Sequence, residues 1–537
     1  MIEKIKLKNY KNFEDVEIIC NPGRNIFVGE NGVGKSSILQ AISLVLSGSI
    51  WQIEKNNIES LFNMLSIKKF VAISRESRNV KDLPKLYIEL YFSKNIDPKN
   101  LSKAPHQLKG RHNLEESYKY GLRFRAEPDI DNFSSELGET IKNSDVFPFD
   151  YYKAVFETFD GTMYTSYTKP FQVRASFIDT TSINTTTALK NHISRIFESQ
   201  ADKKKRQTVS HEYHRMAAQF SQDLYIQHGL NSDNSDYTLK LKSHTESNFR
   251  EILTAQNKNQ ISIESFGDGE KVLLGVESSL AKADDRYQIM LIEEPENHLS
   301  YTNTHKLIKM IETTEDKQTF IATHSNMIAS RLNLSNLILM GNFPKPLKLS
   351  DIEAETSNFF VKAPNTNILD FILAKRVILV EGAAEYILMN EFYKLLTGCE
   401  PHENDIFVIS CSGKTFERYL KVAQPLQKKV AVITDNDEDF ANNITKKYKD
   451  YVDNKNILVR ADENNDNRTF EICLFKENQE FFAENKITKS KNILEYMLNN
   501  KSEAAFRLLN LLQDKEVAQG FTVPEYIKDA IKWITIN

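Results

Sequence analysis

Two groups of residues in this sequence have the types and spacing that chemistry requires. The first begins with Gly29-Glu-Asn-Gly-Val-Gly-Lys-Ser36, which fits GxxxxGK[ST]. Gly29, Asn31, Gly32 and Gly34 form a loop whose backbone N–H groups can wrap phosphates. Lys35 reaches the β- and γ-phosphates and the Ser36 hydroxyl ligates Mg²⁺, with Ser37 beside it. The helix that follows turns its N-terminus toward the anion. Far downstream, the apolar run Ile289-Met-Leu-Ile292 ends in Glu293-Glu294-Pro295-Glu296. A carboxylate in that place holds Mg²⁺ through water, and its neighbour orients the attacking water. Glu293 is assigned to the metal and Glu294 to the base. Ser265-Phe-Gly267 opens an apolar helix and forms a further phosphate receptor. Thr319-Phe-Ile-Ala322 ends at Thr323-His324-Ser325, where a histidine can contact a γ-phosphate, although His324 alone also reads as structural.

The second group is acidic. Val377-Ile-Leu-Val380 runs into Glu381-Gly-Ala-Ala-Glu385, and Val430-Ala-Val-Ile-Thr434 runs into Asp435-Asn-Asp437-Glu-Asp439. Both sets follow predicted parallel strands, at whose carboxyl ends open α/β sheets form their sites. Glu381 and Glu385 are four apart, so one helix face can present both. Asp435 and Asp437 are two apart and would share one side of an extended segment. Clustered hard carboxylates suit Mg²⁺ or Mn²⁺ and not zinc. Two such ions can stabilise the attacking and leaving oxygens of a phosphodiester. Each acidic strand end taken singly also reads as a solvated loop.

These residues need scaffolding, and the chain is long enough to supply it. Its 537 residues correspond to roughly three to four domains at ~150 residues each. A 40% hydrophobic and 26% charged composition is that of a soluble globular protein. A net charge of −4 excludes a protein-wide basic field but leaves room for a local cationic groove. Cys20, Cys399, Cys411 and Cys473 form no CxxC pair and read as buried or incidental thiols. With no apolar leader and no ~20-residue apolar window, the expected location is the cytoplasm, with no membrane association. Asn25–Val28 is a predicted strand and 36–46 a predicted helix. Leu86, Ile88, Leu90 and Phe92 alternate, as do Leu122, Phe124 and Ala126 against Arg123 and Arg125. Residues 152–159 and 162–167 flank Asp160-Gly161 as a predicted hairpin. Residues 180–255 are polar with helical spacing, including the basic run Lys203–Arg206 and the loop Asn231–Asp236. Residues 370–537 alternate strand and helix, the rhythm of a parallel sheet. Gly341–Pro346 is the expected linker.

The order P-loop, Ser-x-Gly, acidic strand end, strand-His resembles the ABC-type ATPases of the SMC/RecF group, and Leu7–Phe13 resembles their opening. In that group the Ser-x-Gly of one subunit caps the nucleotide of the other, which implies a homodimer or higher homo-oligomer. The strand-end Glu followed by Asp-x-Asp, with Gly413 between them, resembles a TOPRIM domain. Together the halves resemble the overcoming-lysogenization-defect (OLD) nucleases. That resemblance implies an α/β fold: an ABC-type head with an antiparallel lobe and helical insertion, then a Rossmann-like TOPRIM domain. The corresponding boundaries are 1–178 and 256–345 for the two parts of the head, 179–255 for the insertion and dimerisation arm, and 370–537 for TOPRIM. It also implies that Thr469-Phe-Glu471 adds an acid to the metals and that Lys501 meets the charge on the phosphorane, although Lys501 equally reads as a surface lysine. The family commonly has His-Leu-His-Pro after the Walker B acids, where this chain has His298-Leu299-Ser300-Tyr301.

The implied activity is that of an ATP-binding and ATP-hydrolysing, Mg²⁺- or Mn²⁺-dependent DNA endonuclease in defence against phage. Implied partners include DNA and, in some relatives, a helicase-like protein (as in Gabija) or the reverse transcriptase and small DNA (msDNA) of a retron. Two other classes stay open at this point. One is an ATP-driven DNA sensor without cleavage. The other is a topoisomerase- or primase-like enzyme.

Overall fold

The protein is described by a computed structural model that covers every residue outside 50–57, 94–101, 103–104, 180–192, 194–195, 199, 229–252, 281–286, 298, 314–316, 342–345, 349–352, 363–366, 412, 414, 490–491 and 537. The chain divides into two compact units, Met1–Leu332 with Asn336–Leu349, and Asn333–Ser335 with Ser350–Asn537.

The first unit is built on two sheets. In the antiparallel one, strands run in the order Phe13–Ile19, Ile2–Tyr10, Leu86–Phe92, Lys119–Pro128 and Lys109–Gly110, with Tyr152–Thr158 also paired to Lys119–Pro128. Alternation works here as strand geometry requires. Leu122, Phe124 and Ala126 are fully buried, while Arg123 and Arg125 turn to the other face and meet Glu157. The turn at Asp160-Gly161 forms, with Gly161 N–H donating to Thr158 O at 2.9 Å. Its second strand does not form. Only an isolated bridge, Glu157 with Met163, follows. Tyr164 N–H still donates to Phe156 O at 3.0 Å, while its ring turns into the core and its hydroxyl donates to Val45 O at 2.8 Å; pairing goes no further.

The second sheet sets out the nucleotide motifs. Strands Leu337–Leu339, Arg24–Val28, Gln318–Ala322, Tyr287–Glu293 and Arg174–Asp179 lie side by side in parallel, with Leu347–Lys348 antiparallel at one edge. Ile26, Phe27, Val28, Leu291, Ile292, Phe320 and Ile321 are completely buried, as in parallel strands covered on both faces. The register places the carboxyl ends of Arg24–Val28, Gln318–Ala322 and Tyr287–Glu293 along one edge. That edge carries the P-loop, Thr323-His324 and Glu293-Glu294. Of the predicted insertion, the helix Lys203–His228 is described, and the loop Asn231–Asp236 lies outside the described residues.

The second unit holds a four-stranded parallel sheet in the order Ile406–Ser410, Arg376–Val380, Lys429–Ile433, Ile457–Arg460. The first strand in sequence, Arg376–Val380, has the second on one side and the third on the other. The crevice beyond the carboxyl ends of Arg376–Val380 and Lys429–Ile433 is therefore the topological switch point. Val377, Ile378, Leu379 and Val380 are all fully buried, which explains the unbroken apolar run. Helices Ala383–Thr397, Phe470–Glu477, Lys501–Leu512 and Glu525–Thr535 close one core over the sheet through Phe392, Phe470, Leu508 and Ile531. The architecture is thus mixed α/β: a first unit with one antiparallel and one largely parallel sheet, and a second, Rossmann-like parallel-sheet unit.

Candidate functional site

The nucleotide loop leaves the buried strand Arg24–Val28 and enters the helix Lys35–Ser47. Two of its glycines are required by space. A Cβ at Gly29 would stand 2.3 Å from Met340 O, and one at Gly34 would stand 2.4 Å from the Phe13 ring. Gly34 also has φ 99°, a left-handed conformation that side chains disfavour. No side chain caps the helix start, so its N-terminus is left for an anion. Lys35 is buried and folds back on its own loop, donating to Gly29 O at 2.9 Å and Glu30 O at 2.8 Å. Burial lowers its pKa, against the pull of Glu294 and Glu296. Asn31 and Gly32 are exposed, and Ser36 and Ser37 half-buried. Backbone donors, an ammonium and a hydroxyl form a set that fits nucleotide phosphates and their Mg²⁺.

Glu293 ends its strand buried, and Glu294 takes φ 41°, with its N–H on Ala322 O at 2.8 Å. That strained turn aims Glu294 across the edge. Its Oε1 lies 3.8 Å from His324 Nε2, and its Oε2 accepts from Asn297 at 2.7 Å. Burial, and then Lys35, lower the His324 pKa, which favours the neutral ring. Ser265 and Gly267 are exposed and make no hydrogen bond to the P-loop. Sequence reasoning passed over Glu296, which turns out to join two elements. It accepts the Thr323 hydroxyl with both oxygens at 2.8 Å and the His324 N–H at 2.7 Å. Only strand adjacency reveals this. The segment Lys11–Phe13 was also missed as part of the site: Asn12 donates to Gly32 O, and Phe13 packs under Gly34.

The acidic group gathers at the switch point of the second unit. Glu381 follows its strand, accepts from the Thr434 hydroxyl at 3.2 Å, and has its carbonyl held by Gly413 N–H at 2.9 Å. Gly382 then opens the helix that carries buried Glu385 in its first turn. Asp435 follows Thr434, and its Oδ1 accepts from Phe470 N–H at 2.8 Å, which sets the start of the helix bearing Glu471 beside it. Glu471 is buried, with Oε2 3.1 Å from Lys501 Nζ, yet at an angle that makes no hydrogen bond. Burial, then Glu385, Glu381 and Glu471, push the Asp435 pKa up to about 7 against the help of Lys501. Burial likewise raises Glu385, with Glu471 and Glu381 adding to it. Lys501 is raised, since these acids outweigh its partial burial.

One expectation fails. Asp435 and Asp437 do not share a side of an extended segment, because the chain curls after Asn436. Asp437 has φ 48° and Glu438 φ 70°, and Asp437 is exposed. Asp439 accepts Asn442 N–H at 3.1 Å and the Asn442 amide at 2.6 Å. The acids that act most strongly on Asp435 are therefore Glu385, Glu381 and Glu471.

Hard oxygen donors, like charges pressed together and a buried Glu471 oxygen without a hydrogen bond fit a divalent cation. The Thr469 hydroxyl, two residues before Glu471, is also buried without a partner. Among the described residues no three acids, histidines or cysteines already stand at metal-ligand spacing, so the acids would draw together around an ion.

A family model for an AAA ATPase domain matches residues 1–329. A model for the overcoming lysogenization defect protein-like TOPRIM domain matches residues 372–437, which include Glu381, Glu385 and Asp435 but stop short of Glu471 and Lys501. The DNA replication and repair protein RecF of Alkaliphilus oremlandii is 29% identical over 73 residues, 14% of this chain and 20% of that one. The DNA double-strand break repair Rad50 ATPase of Thermoplasma acidophilum is 50% identical over 48 residues, 9% of this chain and 5% of that one. The chain thus spans a fifth or less of the length of these curated relatives. An SMC head domain from Thermotoga maritima aligns over 65% of this chain and 98% of its own, with TM-score 0.30 and 14% identity.

Proposed function

The chain belongs to the AAA ATPase domain family and carries an overcoming lysogenization defect protein-like TOPRIM domain; on that premise we propose that it is an ATP-hydrolysing, divalent-metal-dependent DNA endonuclease. One observation carries the nuclease half. Glu381, Glu385 and Glu471 crowd Asp435 at the switch point of a parallel sheet, with Lys501 against Glu471.

In this reading Glu381, Glu385, Asp435 and Glu471 hold the metal. Bound Mg²⁺ or Mn²⁺ supplies Lewis-acid polarisation of the phosphodiester and eases deprotonation of water. Lys501 offers its ammonium to the charge that develops on the phosphorus oxygens. Phe470 N–H fixes one Asp435 oxygen and leaves the other for the ion. In the ATPase, Lys35 exchanges its two loop carbonyls for phosphate oxygens, and Ser36 and Glu293 hold Mg²⁺. Glu294 orients the attacking water. Neutral His324 faces the γ-phosphate. Exposed Ser265 and Gly267 are offered to the nucleotide of a second chain, so two chains close on ATP. The substrate is DNA, the setting is phage defence in the cytoplasm, and a defence partner such as a helicase-like protein or a retron's reverse transcriptase belongs to the same reading.

The test is plasmid nicking with Mg²⁺ or Mn²⁺, with and without ATP, on the wild type and Glu381→Ala. Metal-dependent nicking lost in the variant is expected. Nicking that survives Glu381→Ala, or a wild type that cuts under no metal condition, would remove the nuclease assignment.

A further inference from the structure

Between Asp435 and Asp437 stands Asn436, which is 1% exposed. A buried carboxamide is costly unless it is bonded, and this one is bonded throughout. Its Nδ2 donates to Asp462 O at 2.8 Å and Asn464 O at 2.9 Å. Its Oδ1 accepts Glu438 N–H at 3.0 Å, and its backbone carbonyl accepts the Asn443 amide at 2.9 Å. The side chain thus ties the loop after the strand Lys429–Ile433 to the loop after Ile457–Arg460. The second loop runs straight into Thr469–Glu471. Asp437 N–H adds a parallel tie to Arg468 O at 3.3 Å.

This network also accounts for the backbone. Asp437 and Glu438 are two successive left-handed residues, neither a glycine. Such residues are strained and persist only where their surroundings over-determine them. Asn436 supplies that constraint from both sides of the turn. Its effect is to turn the chain just after Asp435 and bring Phe470 N–H onto the Asp435 carboxylate. Thr469, with its buried unbonded hydroxyl, and Glu471, whose Oε2 faces Lys501 Nζ at 3.1 Å, flank Phe470 in sequence.

We propose that Asn436 is a positioning residue of the acid centre: its carboxamide clamps the Asp435 loop to the loop leading into Glu471, so that both acids meet a divalent ion at one fixed separation. This rests on the metal-dependent reading of the site. Asn436 touches neither metal nor substrate and acts only through Asp435 and Glu471. Losing an outer partner of this kind typically weakens metal binding ~10–100-fold.

The experiment is calorimetric Mn²⁺ titration of the full chain, with melting followed in parallel, on the wild type, Asn436→Asp and Asp435→Asn. Asn436→Asp keeps the shape and the acceptor and removes the bonds donated to the Asp462, Asn464 and Asn467 carbonyls; its added negative charge by itself favours a cation, so weaker binding reports the lost clamp and not the charge. The expected result is Mn²⁺ affinity weakened at least ~10-fold, with cleavage recovered at raised Mn²⁺. A purely structural role would lower the melting temperature and leave the affinity of the folded protein unchanged, and that result overturns the proposal. Should Asn436→Asp fail to fold by circular dichroism, Asn443→Ala loosens the same turn from its half-buried side and is held to the same affinity criterion. A wild type whose Mn²⁺ binding is untouched by Asp435→Asn sinks the metal reading itself, an outcome distinct from failure of the Asn436 clamp alone.

Discussion

Lys35 and Asp435 occupy comparable places in their units, each shortly beyond the carboxyl end of a buried parallel strand, yet their charges are handled in opposite ways. Lys35 is satisfied by its own loop, through Gly29 O and Glu30 O. A nucleotide would exchange those partners for phosphate oxygens. Asp435 stands among Glu385, Glu381 and Glu471, and its proton is retained up to about pH 7. The nucleotide site is a cradle at rest. The acid site carries a like-charge conflict that a cation relieves. The difference predicts that metal changes the second unit more than ATP changes the first.

The largest effect tests the acid site directly. Asp435→Ala should reduce metal-dependent cleavage ~10³-fold, the several kcal/mol that a bound ion contributes to phosphoryl chemistry. Retention of more than a tenth of wild-type nicking would break the comparison at its acidic end. Lys35→Ala should lower ATP hydrolysis on the order of 10²-fold, since a charge aimed at the phosphates is lost. Mn²⁺ affinity measured without ATP should not move. A parallel loss of Mn²⁺ binding would mean that the two sites are not independent in the resting chain.

Lys501→Met sharpens the contrast within the acid site. It should slow cleavage at saturating metal ~10–100-fold, comparable to loss of one oxyanion donor. Because Lys501 also lowers the local negative charge, its removal should strengthen Mn²⁺ binding. Slower turnover with tighter metal is the outcome to look for; weaker binding would assign Lys501 to holding the fold.

The smallest effect is one of pH. Asp435 binds its proton more tightly in the fold, at about 7, than at its ordinary value of 3.8. Its contribution to stability is therefore fully present below about pH 4 and is lost as pH rises through 7. The amount is on the order of a few kcal/mol. Metal-free protein should show the melting of its second unit fall by several degrees from about pH 4 to about pH 8. Added Mn²⁺ or Asp435→Asn should flatten that slope. A melting temperature that rises over this range would show that Asp435 is not held protonated.

Much of the candidate site was legible because its chemistry is local in sequence. Gly29–Ser36 is one loop, Glu293-Glu294 one strand end, and Glu381 and Asp435 each mark the end of an unbroken apolar run. The elements were legible for the same reason. Four consecutive buried residues in Val377–Val380 and the strict alternation of Leu122, Phe124 and Ala126 against Arg123 and Arg125 report burial on two faces and on one. The misreadings arose where a side chain far away in sequence decided the backbone. Asp437 was expected on one side of an extended segment, but Asn436 is held by carbonyls more than twenty residues on. Residues 162–167 were expected as a strand, but pairing stops at the Glu157–Met163 bridge, beside which the Tyr164 ring is buried and bonded to Val45 O.

The sequence by itself determined which groups can do chemistry, because loop glycines, a P-loop lysine and strand-end carboxylates carry their function in residue type and short spacing. Only the tertiary structure decided which of them meet. Glu296 grips Thr323 and His324 because parallel strands are neighbours in the sheet, and Glu471 meets Lys501 because two helices pack over one core. Adjacency across a sheet and burial of a charge depend on the whole packed chain, and no local run of residues contains them.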